Sequence, residues 1–261
     1  MSPLESKTPH EIRRLARTGK LTGPTGGLAP GHLQANLAMV PRVVADDFQA
    51  FCEGNPKPCP LLEMTEPGSF QLLKLASGVD LRTDLPKYRV YQKGALVEEP
   101  VEITGWWRDD LVSFLLGCSF SFEEAMLRSS LPVRHIEEGR NIPMYLTNIP
   151  CKPAGIFRGN TVVSMRPLKP TQVKQVVDLT SRYSFAHGAP LQIGDPMAIG
   201  IHSLDHPDFG ESVTIYPDEV PVFWACGVTS QIAILEAKIE LAITHNPGSM
   251  FVSDIKSDDL L

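Results

Sequence analysis

The sequence predicts a mixed α/β protein, with an α/β main domain and a smaller α+β second domain. Two observations carry that expectation. Up to about Tyr145, apolar residues recur at helical spacing in short runs bracketed by caps and breakers. Beyond it the apolar runs become short and rich in β-branched residues. No long solvating linker separates the two textures, so the lobes are expected to share an interface whose cleft is the ligand site. The expected division puts residues 1–145 in the helix-rich part of the main domain, 146–225 in the strand-rich lobe, and 226–261 back in the main domain.

Taken in order, Thr8-Pro9-His10-Glu11 reads as a capping box with proline at the first helical position. Arg13, Arg14 and Arg17 lend the segment a basic character, but Glu5 and Glu11 oppose a presequence reading, so a folded helix is expected. Residues 23–31, GPTGGLAPG, hold four glycines and two prolines. They form either an ordinary turn or a loop whose bare N–H groups receive an anion. A helical pattern follows over 32–40 and another over 44–53, the latter stopped by Gly54 and nearby prolines. In the second half, strands are expected at 161–165, 197–201, 212–216 and 220–225, and helices open at Pro170-Thr171 and at Thr229.

Composition bounds the function. With 43% hydrophobic residues in 261, the chain can bury a large core. A net charge of −6 leaves no basic face for a phosphate backbone, so nucleic acid is not an expected partner. No apolar stretch reaches the roughly 18 residues that a membrane span needs, so neither membrane association nor a location outside the cytoplasm is expected. The five cysteines are odd in number and lack CxxC spacing, which argues against a disulfide framework or a zinc knuckle and suits a reducing compartment.

Three constellations carry candidate chemistry. Cys118 and Cys226 sit in matching surroundings, SFLLG-C-SFSFEEA and VFWA-C-GVTSQIA, each after an apolar run and ahead of a helix start. Ser121 with Glu124 reads as one capping box and Thr229 as the other cap; a helix N-terminus lowers a thiol pKa, whereas a free cysteine that merely fills core space is the plain alternative. The second cluster, 134–141, gathers Arg134, His135, Arg140 and Asn141 with two glutamates. Arginine forks grip carboxylates and an imidazole beside acids moves protons near neutrality, while a solvated charged loop is the plain alternative. In the third, glycines and prolines fix turns that present His187 and Asp195. His202, Asp205, His206 and Asp208 are residue types that bind divalent metals, but their spacing matches no ligand signature, so no cofactor is expected. Phosphate-binding loops, a GxSxG elbow and HExxH are absent.

The blocks TGPTGGLAPGHLQANL, CPLLEMTEPG, SFLLGCSFSFEEA, VRHIEEGRNIPMY, HGAPLQIGDP, EVPVFWACGVTSQ and AITHNPGSMFVSD resemble the D-glutamate cyclase family, also described as hydro-lyases, over about residues 22–254. That resemblance implies an α/β main domain with a smaller α+β domain, and a reaction in which D-glutamate cyclises to 5-oxo-D-proline and water. The chemistry then asks for a base, an acid and carboxylate clamps. Gly26, Gly27, Arg134, Arg140 and Asn141 are candidates for binding, His135 or His187 for the base, Asp195 for orienting an imidazole, and Cys118 and Cys226 for proton transfer or oxyanion contacts. The expected partner is a small amino acid or carboxylate, and assembly into a homo-oligomer is compatible with the sequence. Two other classes share these features: a cofactor-independent racemase using the paired thiols, and a non-catalytic amino-acid-binding protein.

Overall fold

The computed structural model describes residues 4 and 6–261; Glu5 lies outside the described residues. The chain forms α1 (Pro9–Arg17), β1 (His32–Pro41), α2 (Arg42–Gly54), β2 (Leu61–Met64), β3 (Tyr88–Gln92), β4 (Ala95–Glu98) and β5 (Leu111–Gly117). It continues with α3 (Phe120–Arg128), α4 (Arg134–Glu137), β6 (Met144–Pro150), β7 (Asn160–Leu168), α5 (Pro170–Thr180), β8 (Gln192–Ile193), β9 (Val220–Ala225), α6 (Thr229–Ala237), β10 (Ala242–His245) and β11 (Phe251–Lys256). The class is mixed α/β, built on two antiparallel sheets. The larger has the order β2-β5-β1-β10-β3-β4, with β11 also pairing β1, and the smaller has the order β6-β7-β9-β8.

Helix α1 carries the capping box read from the sequence: the Thr8 hydroxyl accepts the Glu11 N–H at 3.3 Å and the Glu11 carboxylate accepts the Thr8 N–H at 2.9 Å. The expectation of a helix over 32–40 is corrected, since these residues form β1, the middle of the larger sheet. There β1 pairs with β5 from Ala35 to Pro41 on one side, and with β11 and β10 on the other. This central strand is buried on both faces, its polar Gln34 and Asn36 included, and its apolar residues, at 33, 35, 37, 38, 39 and 40, fit a helical spacing as well as a strand's. The first half is therefore not a set of short helices: it supplies β1 to β5.

Two further expectations are corrected. Residues 197–201 hold a 3-10 turn, Met197–Ile199, which the Asp195 carboxylate opens by accepting the Met197 N–H and Gly200 closes at φ +80°. Residues 212–216 form no strand, because side chains take their backbone groups: Arg134 donates to the Thr214 carbonyl and Glu138 accepts the Thr214 N–H.

One face of the larger sheet packs Leu37, Met39, Tyr88 and Phe251, the other holds Phe48, Phe51 and Phe114 with Phe157, and the smaller sheet packs Trp224 against Phe122 and Val176. Among the described residues no helix is long and apolar enough to cross a membrane. All strands of the smaller sheet lie between 144 and 225, so the chain leaves the larger sheet after β5 and re-enters it at β10.

Candidate active site

The exit and the return each carry a cysteine. Cys118 follows the last residue of β5, in the larger sheet, and Cys226 follows the last residue of β9, in the smaller one. Both thiols lie in one apolar cluster with Phe120, Met144, Val162 and Met250. Each sulfur accepts the backbone N–H two residues ahead, of Phe120 and of Val228. Asn36 of β1 joins the junctions: its amide donates to the Gly117 carbonyl at 2.7 Å, and a Cβ on Gly227 would collide with it.

The hydroxyls expected as caps are used otherwise. Helix α3 begins at Phe120, and Ser121 instead accepts the Gln34 N–H at 3.0 Å. Thr229, the first residue of α6, donates to the Cys226 carbonyl at 2.7 Å and accepts the Val162 N–H at 2.9 Å. The expected lowering of the thiol pKa values is also corrected. Burial pushes both up, Cys226 to about 11 and Cys118 higher still, and it outweighs the backbone N–H donors and Arg166 that favour the anions. Near neutral pH both are therefore S–H donors.

Beside Cys118 lies a buried charged network. Arg166 of β7, 1% exposed, bonds Glu123 through Nε at 3.1 Å and through Nη2, Ser119 Oγ through Nη2 at 2.9 Å, and Ser164 Oγ through Nη1 at 3.3 Å. Its guanidinium lies over Phe122 and Trp224, at 5.2 and 5.3 Å from the ring centroids. Burial alone would raise the Glu123 carboxyl, but His135 and Arg166 together hold it below the usual range. His135 of α4 stacks on Phe120 and places Nε2 3.2 Å from Glu123 Oε1, out of line for a hydrogen bond. Glu123 Oε2, both ring nitrogens of His135 and Asn141 Oδ1 are buried with no hydrogen-bond partner among the described residues. Each such atom costs on the order of 1–3 kcal/mol unless something meets it, which makes this cluster a candidate ligand position.

His135 and Asn141 face a cavity of about 620 Å³, whose wall also includes Gly26, Gly27, Phe120 and Arg140. A Cβ on Gly26 would stand 3.8 Å from His135 Nε2, and Gly27 holds φ +77° against Ile136, so the glycine loop forms the wall facing the imidazole. A narrower cleft continues between the same loop and α3, with Glu123 on its wall. The structure therefore brings Gly26, Gly27, His135, Arg140 and Asn141 to one cavity, with Cys118 and Cys226 clustered behind Phe120.

The other sequence candidates lie elsewhere. The fork of Arg134 is filled by Glu219, at 2.7 Å, with Glu137 and the Thr214 carbonyl beside it. His187, at φ +80°, turns Nδ1 to the Lys57 carbonyl at 2.8 Å, and burial lowers its pKa to about 4. Asp195 is exposed and caps its own turn, so it does not orient His187. The Asp208 carboxylate accepts the Leu146 N–H at 2.7 Å, and His206 pairs with Ser203. Among the described residues no three His, Cys, Asp or Glu side chains come together as a metal would require. Glu123, Arg166 and Asn36 were not singled out by sequence. An arginine inside the apolar strand VVSMRP was the available signal, since a charge there needs a buried partner.

The chain matches the family described as D-glutamate cyclase over residues 112–254. It is 57% identical to a protein named "Putative hydro-lyase" from Thermoanaerobacter sp. (strain X514), over 98% of this chain and 97% of that one. Proteins of the same name from Bordetella pertussis and Bacillus pumilus are 56% and 52% identical, covering 96% and 100% of this chain and 91% and 99% of theirs. A solved nitrogen repressor-like protein from Methanococcus jannaschii overlays with a TM-score of 0.39 at 12% identity, over 94% of this chain and 97% of that one, too distant to inform fold or chemistry. Matched by that family over more than half of its length, and more than half identical to hydro-lyase-named relatives of nearly equal length, the chain belongs to the D-glutamate cyclase family.

Proposed function

We propose that this hydro-lyase family member converts D-glutamate to 5-oxo-D-proline and water. The observation that carries the reading is a cavity of small-molecule size walled by the Gly26-Gly27 loop, His135, Arg140 and Asn141, with Glu123 on its narrow continuation and two neutral thiols packed behind Phe120. Lactam formation requires an uncharged amine to attack the γ-carboxyl carbon, donors for the developing oxyanion and protons for the departing oxygen. Cys118 and Cys226, protonated near neutral pH, act as oxyanion donors rather than nucleophiles. Arg140, at the cavity wall and bonded to the Ser212 carbonyl, holds a substrate carboxylate together with the N–H groups of the Gly26-Gly27 loop. Arg134 is already occupied by Glu219 and leaves that role to Arg140.

The paired thiols also suit a racemase, in which one thiol removes the α-proton and the other returns one. That reading needs a thiolate, which burial disfavours at both positions. The test is incubation of purified protein with D-glutamate, L-glutamate, 5-oxoproline and small hydroxy acids in deuterated water, with products separated by chiral chromatography. D-glutamate should give 5-oxo-D-proline without α-deuteration. Deuterated, racemised glutamate would support the racemase, and no turnover of any compound would leave a binding protein.

A further inference from the structure

We infer that His135 alone carries the protons of the cyclisation, taking each from the substrate nitrogen and handing it to the oxygen that leaves, through the single ring nitrogen Nδ1. The inference rests on the cyclisation reading and adds the path of its protons.

Cyclisation is neutral in protons and needs two transfers. In the first, an ammonium proton passes to the γ-carboxylate, which leaves a free amine beside a carboxylic acid. The amine lone pair then forms the N–C bond while the carbonyl π pair moves onto oxygen. In the second, the newly bonded nitrogen gives up a proton to the hydroxyl, the C–O bond breaks, and water departs as the oxyanion restores the carbonyl. Donor and acceptor stand at attack distance, about 3–3.5 Å, in the first transfer and share one carbon in the second. One nitrogen therefore reaches both ends of each transfer, is neutral again after each, and consumes no outside acid or base.

His135 has the required surroundings. Its side chain is 2% exposed and lines the cavity, stacked on Phe120, and neither ring nitrogen has a hydrogen-bond partner among the described residues. A histidine kept for packing alone would be expected to satisfy its ring within the fold. Nε2 stands 3.2 Å from Glu123 Oε1, which the Arg166 Nε–H and Nη2–H groups already fill. No hydrogen bond joins that pair and no proton crosses it, but a lone pair on Nε2 would face a negative oxygen. The neutral ring therefore keeps its proton on Nε2 and its lone pair on Nδ1, which makes Nδ1 the base.

The other titratable groups at the cavity are committed elsewhere. Arg140 stays charged, Glu211 accepts the Asn141 N–H at 3.0 Å, and Glu124 faces Arg128 at 3.9 Å. Glu123, on the narrow continuation, would be raised by burial but is held below the usual carboxylate range by His135 and Arg166, which makes it a weak base.

The direct test is His135→Gln, since no hydrogen bond among the described residues depends on the ring nitrogens. Conversion of D-glutamate by the wild type is measured first, then kcat, KM and melting temperature of the variant. The expected result is a loss of about 100-fold or more in kcat, the usual scale of positioned acid–base catalysis, with KM and melting temperature little changed. His135→Ala should lose as much and regain about tenfold when free imidazole is added, a rescue that a packing role cannot give. Either variant decides the matter if the other fails to fold. A wild type that cyclises D-glutamate alongside a His135→Gln variant within a few-fold of it, or alongside a His135→Ala variant that imidazole does not rescue, would overturn the shuttle and leave the cyclase reading standing. A wild type with no cyclisation would overturn both.

Discussion

The two cysteine junctions share a backbone plan and differ in charge. Each has a strand, a buried thiol that accepts the N–H two residues ahead, and a helix. Five residues past the thiol, however, the first carries Glu123, locked to Arg166, and the second carries Gln231, whose amide donates to the His245 carbonyl at 3.0 Å. The residue after the thiol is Ser119, bonded to Arg166, in one case and Gly227, pressed against Asn36, in the other. One plan thus serves a junction built on a buried ion pair and a junction built on neutral hydrogen bonds and close packing.

The largest effect should come from the charged side. Arg166→Met leaves the Glu123 carboxylate buried and unpaired, a loss of about 3–5 kcal/mol. Gln231→Met removes neutral hydrogen bonds and should cost about 1 kcal/mol. Urea unfolding of both variants measures the contrast, and equal costs would erase the distinction between the junctions.

Each junction is also backed by a buried neutral histidine. His187 belongs to the turn whose Phe185 carbonyl abuts Gly117, and His245 is held by Leu37 and Gln231. Burial lowers both pKa values to about 4 from 6.5. Between those values the unfolded chain binds more protons than the native one. Stability is therefore full above about pH 6.5 and falls as pH drops toward 4, by at most about 3 kcal/mol per histidine. His187→Gln and His245→Gln should each remove one share of that fall, read from unfolding midpoints at pH 7 and 4.5. A curve unchanged by either substitution would show that the histidines are not its source.

Backbone fit should separate the junctions by less. A Cβ at Gly117 meets the fixed Phe185 carbonyl, whereas one at Gly227 meets the movable end of the Asn36 side chain. Gly117→Ala should cost about 2–3 kcal/mol and Gly227→Ala less, by chemical denaturation. The smallest effects belong to the thiols themselves. Cys118→Ser and Cys226→Ser should change stability by about 1 kcal/mol or less. Alkylation should be slow for both near neutral pH and rise first at Cys226 as pH approaches its value of about 11. Faster reaction at Cys118 would reverse the ranking.

Legibility followed solvent exposure. Helices with one wet face, α2 and α5, and strands bounded by turns, β7 and β9, lie where periodicity put them. β1 was hidden because it is buried on both faces and its apolar residues fit a helical spacing too, and residues 212–216 looked like a strand because the side chains that take their backbone bonds, Arg134 and Glu138, are distant in sequence. The paired thiols were legible from their repeated surroundings. Glu123 and Arg166 were not, since SFSFEEA reads as an ordinary first turn and nothing local says that an arginine 43 positions on will meet it.

The pairing of β1 with β10 has a consequence for how the protein comes into being. Ala38 lies opposite Thr244, so the strand at the heart of the larger sheet waits for residues that leave the ribosome after the whole smaller sheet has been made. Such distant pairings fold slowly and leave sticky edges exposed meanwhile. The nascent chain therefore carries an incomplete larger sheet until β10 and β11 have been made, and chaperone demand during that interval should follow from the topology.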